Sequence, residues 1–266
     1  MSIDYFETNR KTWNEKTPVH FESDFYDKHA FAKAKNSLMK YELEALPDVS
    51  NKSLLHLQCH FGQDSLSWVH KGATVTGVDI SDVAIAKAKE LSKELELPAQ
   101  FIQCNVLDTS QFVDDYFDIV FTSYGVIGWL PDLKPWAQMI AERLNSGGTF
   151  YMVEFHPILW MYDYTDGVPI LKYHYNQSEA IYEEYAGTYA APNATMVSKE
   201  YGWNHSLSDV IQSLLDAGLE LQLFQEHDGS PYNVFPDMLE GNDGLYYLKD
   251  GLFPTVFELK FIKSNA

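Results

Sequence analysis

Residues 53–79 read SLLHLQCHFGQDSLSWVHKGATVTGVD, and they restrict the fold more than any other stretch of the chain. Positions 53–58 are a short apolar run suited to a buried strand, and 59–63 form a loop with one glycine, Gly62. Positions 64–70 have helical spacing, with Leu66 and Val69 three apart on one face. Lys71 and Gly72 close that helix, and 73–78 read as a second strand that ends at Asp79. A buried strand feeding a helix and then a parallel strand is the first half of a nucleotide-binding α/β sheet. An acidic residue closing the second strand suits a ribose, whose two hydroxyls both donate to one carboxylate.

The rest of the chain extends this pattern. Residues 3–16 are expected to form a short amphipathic helix with Tyr5, Phe6 and Trp13 as its large apolar members, ended by Pro18. A longer helix is expected over 27–46, with Phe31, Leu38, Tyr41 and Leu43 on its buried face. After Asp79, Ser81 is a good N-cap for a helix over 82–95 that Pro98 breaks. Strands are expected at 99–104 and 117–122, with a polar connector over 109–115 between them. A helix over 133–144, a Ser146-Gly147-Gly148 turn and a strand over 149–155 follow. Strands alternating with crossover helices give a parallel sheet covered on both faces.

Residues 157–202 break that rhythm and are rich in aromatics: Trp160, Tyr162, Tyr164, Tyr173, Tyr175, Tyr182, Tyr185, Tyr189 and Tyr201. They are expected to form an insertion of short strands and loops over one end of the sheet. A clear helix over 206–217 follows, with Val210, Ile211, Leu214 and Leu215 as its stripe and Gly218 as its stop. Strands at 219–225 and 253–262 flank a long loop over 226–251. With no helix between them, these last two strands are free to lie antiparallel.

Charge and cysteine content narrow the partners. The 266 residues carry 38 acids against 19 bases, a formal net charge of −19. That balance argues against nucleic acid and anionic membrane surfaces, which recruit Lys and Arg. Cys59 and Cys104 are the two cysteines, too few for a metal spacing, and they suit a reducing cytoplasm. The polar start has no apolar leader segment, and no apolar run reaches the ~18 residues that a membrane span requires.

This order of elements resembles the class I S-adenosylmethionine-dependent methyltransferases. The resemblance runs from Leu54 to Ile262, and it is nearest to the small-molecule branch. There the segments WNHSLSDVIQSLLDAGL (203–219) and FPTVFELKFIK (253–263) have counterparts. The family's glycine-rich loop after the first strand, acidic-x-Gly-x-Gly-x-Gly, stands here as His56-Leu57-Gln58-Cys59-His60-Phe61-Gly62. LQCHFG (57–62) with His56 before it is thus a variant motif in which His56 replaces the acid and Gln58 and His60 replace two glycines.

The resemblance implies an α/β fold: a seven-stranded Rossmann-like sheet with an antiparallel last strand and helices on both faces. It also implies one methyltransferase domain over 1–266. Its parts would be an N-terminal helical cap (1–50), a cofactor-binding core (51–156), an aromatic lid insertion (157–202) and a C-terminal helix with strands six and seven (203–266). The cofactor implied is S-adenosyl-L-methionine. His56, Gln58, Cys59 and Gly62 would pass under its methionine part. Asp79 would hold the ribose, Ile80 would lie against the adenine, and Asn105 and Val106 would contact the ring. Thr122, Ser123 and Tyr124 would face the methionine end.

The reaction implied is in-line methyl transfer to a small-molecule acceptor, driven mainly by positioning and desolvation. A general base is needed only for a nucleophile with a high-pKa proton. Glu154 and His156, just after the fifth strand, are the foremost candidates for one. His56 and His60 have no third partner for a metal, so no metal is expected, and they read as core or cofactor-lining residues. Two other classes share parts of the pattern. A nicotinamide-dependent oxidoreductase also uses a strand, loop, helix and acid, but this chain lacks its G-x-G-x-x-G. A non-catalytic cofactor-binding module fits the altered glycine loop.

Overall fold

A computed structural model describes residues 4–163, 168–233, 235 and 238–265. Tyr164 of the expected insertion lies outside the described residues. The chain opens with α1 (Tyr5–Phe21), capped by Asp4, whose side chain accepts from the Glu7 N–H. The helix runs through Pro18 rather than stopping at it. Proline there removes one hydrogen bond in the last turn. Burial of His20 and Phe21 just beyond it holds that turn in place.

The single helix expected over 27–46 is two short ones, α2 (Lys28–Ala34) and α3 (Lys40–Ala45). Lys35 ends α2 in the left-handed conformation. The chain then runs extended, so that the Ser37 N–H donates to Ser67 Oγ at 2.9 Å and the Ser37 hydroxyl to Asp64 at 2.5 Å.

The core follows as β1 (Ser53–Leu57), α4 (Gln63–His70), β2 (Thr74–Asp79), α5 (Asp82–Glu94) and β3 (Gln100–Gln103). The polar connector contains a 3-10 turn over Val106–Asp108 and the short α6 (Thr109–Phe112). Then come β4 (Phe117–Ser123), α7 (Leu133–Arg143) and β5 (Leu144–Phe155). The insertion consists of a small ribbon, β6 (Tyr162–Asp163) with β7 (Ile170–Leu171), and a hairpin, β8 (Gln177–Ala186) with β9 (Val197–Asn204). After α8 (Leu207–Asp216) and β10 (Leu219–His227), the expected long loop folds into a three-stranded sheet of β11 (Gly229–Ser230), β12 (Met238–Glu240) and β13 (Tyr246–Leu248). The chain returns through β14 (Val256–Lys263).

The main sheet has seven strands in the order β10-β14-β5-β4-β1-β2-β3. β14 pairs antiparallel with both β5 and β10, while β1 to β5 are parallel. Strand alternation sorts the core onto two faces. Leu55, Leu57, Phe150, Met152 and Phe261 pack with Trp136 and Ile140 of α7 and Val210 and Leu214 of α8. Leu54, Phe121, Tyr151 and Val153 pack with Tyr41 of α3 and Trp68 of α4 on the other. β4 and β2 flank β1 on opposite sides, so the chain leaves β1 and β4 in opposite lateral directions. That divergence opens a crevice at the carboxyl ends of the strands, where open α/β sheets bind ligands.

Candidate active site

The loop leaving β1 has alternate residues in the left-handed region, Gln58 at φ +53, His60 at +50 and Gly62 at +80. Gly62 is required, because a Cβ there would lie 2.7 Å from the Phe101 ring. Gln58 and His60 hold the same conformation with side chains, at a cost on the order of 1–2 kcal/mol each. Local bonds offset that cost. The His60 N–H donates to Asp79 Oδ2 at 2.8 Å, the Gly62 N–H to the Cys59 carbonyl and the Cys59 N–H to the Val78 carbonyl. Gln58 Nε2 donates to the Val126 carbonyl at 2.9 Å, which fixes the orientation of its amide. Gln58 Oε1 and His60 Nε2 are then buried without partners.

Across the loop, Asp79 closes β2. Its Oδ1 accepts from the Ser81 N–H at 2.8 Å, and burial pushes its pKa up to about 6 against these backbone donors. Ile80, Asn105 and Val106 stand beside it on one cavity of about 820 Å³. Asn105 Oδ1 caps the 3-10 turn by accepting from the Leu107 N–H at 3.1 Å. Cys59 packs over Gly77, and both cysteines are free buried thiols.

On the β4 side, Ser123 and Tyr124 line the same cavity, while Thr122 is fully buried and reaches back to the Leu57 carbonyl. Ser123 Oγ donates to Asp64 at 3.3 Å, and the Tyr124 hydroxyl to Glu42 at 3.1 Å. Burial, with Asp64 nearby, pushes the Glu42 pKa up to about 8. His56 also lines the cavity; its Nδ1 is 2.7 Å from Ser65 Oγ, and burial lowers its pKa to about 3. It is a neutral imidazole.

The far wall comes from α1 and the hairpin β8–β9. Asn9 pairs with the backbone of Tyr201 through both ends of its amide, at 2.8 and 2.9 Å. Thr12 donates to the Lys199 carbonyl, and His20 Nε2 meets Thr188 Oγ1 at 3.0 Å. One helical stripe thus seats the hairpin. Lys16, on that stripe, is buried against Glu200 Oε2 at 2.5 Å, with the Tyr185 hydroxyl bridging both. Trp13 packs edge-on against His60 and Trp129, at 5.2 and 5.3 Å between ring centroids. Trp160, Tyr189, Tyr232 and Phe235 complete an aromatic enclosure.

The two carboxyl-end candidates lie apart. Glu154 is buried, and its carboxylate accepts from the backbone N–H groups of Gly125, Val126, Ile127 and Phe155. Its oxygens thereby brace the loop after β4. His156 does not line the cavity; its ring spans from Glu226, at 2.8 Å, to the Ile158 N–H. Sequence reasoning selected Tyr185 as one of the insertion's aromatics but passed over Lys16 and Asp64. A 3-residue spacing from Trp13 was the available sign for Lys16. Among the described residues, no group of three His, Cys, Asp or Glu side chains is placed to hold a metal ion, and no helix is long and apolar enough to cross a membrane.

Comparison with known proteins matches part of the chain to a family. Residues 55–152 match the methyltransferase domain family. An uncharacterized methyltransferase of Synechocystis sp. is 30% identical over 123 residues, 45% of this chain and 55% of that protein. A ubiquinone biosynthesis O-methyltransferase of Nitrosomonas europaea is 30% identical over 112 residues, 41% of this chain and 46% of that protein. The chain spans about half the length of these curated relatives. Among solved structures, a SAM-dependent methyltransferase from Methanosarcina mazei superimposes with a TM-score of 0.58 at 17% identity, covering 86% of this chain and 100% of that one. Residues 55–152 thus match a methyltransferase domain over the core of the sheet, and the chain as a whole shares the fold of solved S-adenosylmethionine-dependent methyltransferases.

Proposed function

We propose that the chain binds S-adenosylmethionine in the 820 Å³ cavity and transfers its methyl group to a small-molecule acceptor. The observation that carries this reading is the pairing of Asp79 with the left-handed loop 58–62. A carboxylate stands at the tip of β2, and two buried, unpartnered polar atoms, the acceptor Gln58 Oε1 and the ring nitrogen His60 Nε2, stand on the loop beside it. Such groups fit a ligand that brings hydroxyl and amine donors. Asp79 would accept from the ribose hydroxyls through lone pairs left free by His60 and Ser81. Ile80 and Val106 would flank the adenine, with Asn105 at its edge. His56, Gln58, Cys59, Gly62, Ser123 and Tyr124 would surround the methionine part. Thr122 would support them from behind.

When bound, S-adenosylmethionine supplies a methyl group on a sulfonium, an excellent leaving group. The protein's part is then to align the acceptor and exclude water. The cap over 1–50 and the insertion over 157–202 would act as the lid, closed by the contacts of α1 with β9. Aromatic walls from Trp13, Trp129, Trp160 and Tyr189 suit a planar or apolar acceptor. Glu154, with its oxygens held by four backbone N–H groups, would position the β4 loop rather than take a proton.

Calorimetric titration with S-adenosylmethionine and with its product S-adenosylhomocysteine tests this reading. Heat of binding and a raised melting temperature are expected for both. No heat and no shift with either would remove the reading. Protection by NADH alone would replace it with nicotinamide chemistry.

A further inference from the structure

The wall of the cavity at the β4 side is rich in acceptors and poor in cations. Asp64, in the first turn of α4, lines the cavity half-buried, and among the described residues its carboxylate accepts from two partners, the hydroxyls of Ser37 and Ser123. Burial pushes its pKa up, and no Lys or Arg among the described residues offsets it. Glu42, a second carboxyl, lies close enough that Asp64 raises its pKa as well, and Glu42 Oε1 has no partner. Gln58 Oε1 is a third acceptor on this side. Its amide nitrogen is committed to the Val126 carbonyl, so the oxygen has no alternative role within the protein.

A carboxylate desolvated without a countercharge is costly to hold, and the cost falls when a cation binds beside it. The ligand proposed above carries one compact cation with several N–H donors, the α-ammonium of its amino-acid end. We propose that Asp64 is the counter-ion of that ammonium group and that Gln58 Oε1 accepts a second of its N–H donors. This assignment rests on the cofactor reading above. It places recognition of the amino-acid end on Asp64, eight residues beyond the His56 position, where a neutral imidazole stands. Recognition of the nucleoside end stays with Asp79. The cavity then reads its ligand by two carboxylates on opposite sides of the β1 loop.

The test uses S-adenosylhomocysteine and its deaminated analogue, S-(5′-adenosyl)-4-thiobutyrate, which has the same chain without the amino group. Neither carries a sulfonium, so the comparison isolates the ammonium. The wild-type protein is expected to bind S-adenosylhomocysteine roughly tenfold or more tightly than the analogue, the range of a charge-assisted hydrogen bond. Asp64→Asn is expected to remove most of that preference by weakening only the amine-bearing ligand. It should also melt no lower than the wild type without ligand, because a partly desolvated charge without a countercharge has gone. If Asp64→Asn fails to fold, Asp64→Ser is compared in the same way. Equal loss for the two ligands, or a preference that survives the substitution, overturns the assignment. Absence of binding of both ligands to the wild type would instead remove the cofactor reading on which it rests.

Discussion

The His60 backbone N–H donates to Asp79 Oδ2 at 2.8 Å, so the loop after the first strand and the tip of the second are held by one carboxylate. Asp79→Asn keeps the shape but loses the charge and one acceptor oxygen. S-adenosylhomocysteine affinity is expected to fall at least roughly tenfold, with destabilisation of about 1–3 kcal/mol from the unmade bond. Calorimetry and urea denaturation measure the two separately.

The same carboxyl gives a pH dependence with a fixed sign. Its folded pKa of about 6 lies above the unfolded value near 3.9. Between those values the folded state binds more protons than the unfolded one, so its contribution lowers stability as pH rises from about 4 to 6. Cofactor affinity is expected to rise over that window as the carboxylate ionises. A profile of S-adenosylhomocysteine binding from acid to neutral pH, flat in Asp79→Asn, checks it.

Glu42 carries the same sign further into the neutral range. Burial raises its pKa to about 8, so the cost of ionising it accrues as pH rises from about 4.5 to 8. Glu42→Gln is expected to match the wild type in acid and to melt several degrees higher above pH 8. Melting curves across this range would contradict the account if the gap did not widen with pH.

Lys16 and Glu200 form a buried ion pair in the cavity wall. Lys16→Met leaves Glu200 charged and unpaired, and a loss of about 3–5 kcal/mol is expected. Replacing both, as Lys16→Met with Glu200→Leu, should recover much of it. Chemical denaturation of the single and double variants gives the coupling.

Gly62 and His60 both lie in the left-handed region but should respond unequally to substitution. Gly62→Ala drives a Cβ to 2.7 Å from the Phe101 ring at φ +80, so a loss of about 1–3 kcal/mol is expected. His60→Gly relieves the left-handed strain while giving up ring packing, and its cost should be the smaller. Paired melting experiments on the two variants decide this.

The sheet was legible because β1, β2, β4 and β5 are apolar runs bounded by glycine, proline and polar turns. The antiparallel β14 followed from the missing helix before it. What failed to show was set by contacts distant in sequence. The break between α2 and α3 exists because Ser37 reaches Ser67 and Asp64, and no local propensity marks it. Among the described residues β11, β12 and β13 pair with one another, and at two or three residues each they are too short for a period of two to mark them. In the site, most positions facing the cavity from 56 to 124 lie at strand ends or in the loops that follow them, which sequence order locates, while Gln63 and Asp64 face it from the first turn of α4. Lys16, Tyr185 and Glu200 come together only through the docking of α1 on β9.

That docking has a consequence for how the protein is made. Asn9 closes its bonds with Tyr201 across 192 residues, and His20 meets Thr188 across 168. During synthesis the first helix emerges long before the hairpin that it will grip. Until about three-quarters of the chain has left the ribosome, its stripe of Asn9, Thr12, Lys16 and His20 has no strand to hold. Contacts at such separation form late, after the loop they close has already become ordered. The clasp therefore carries the closure cost of a long-range contact, and this wall of the cavity is complete only once the first helix has met the hairpin.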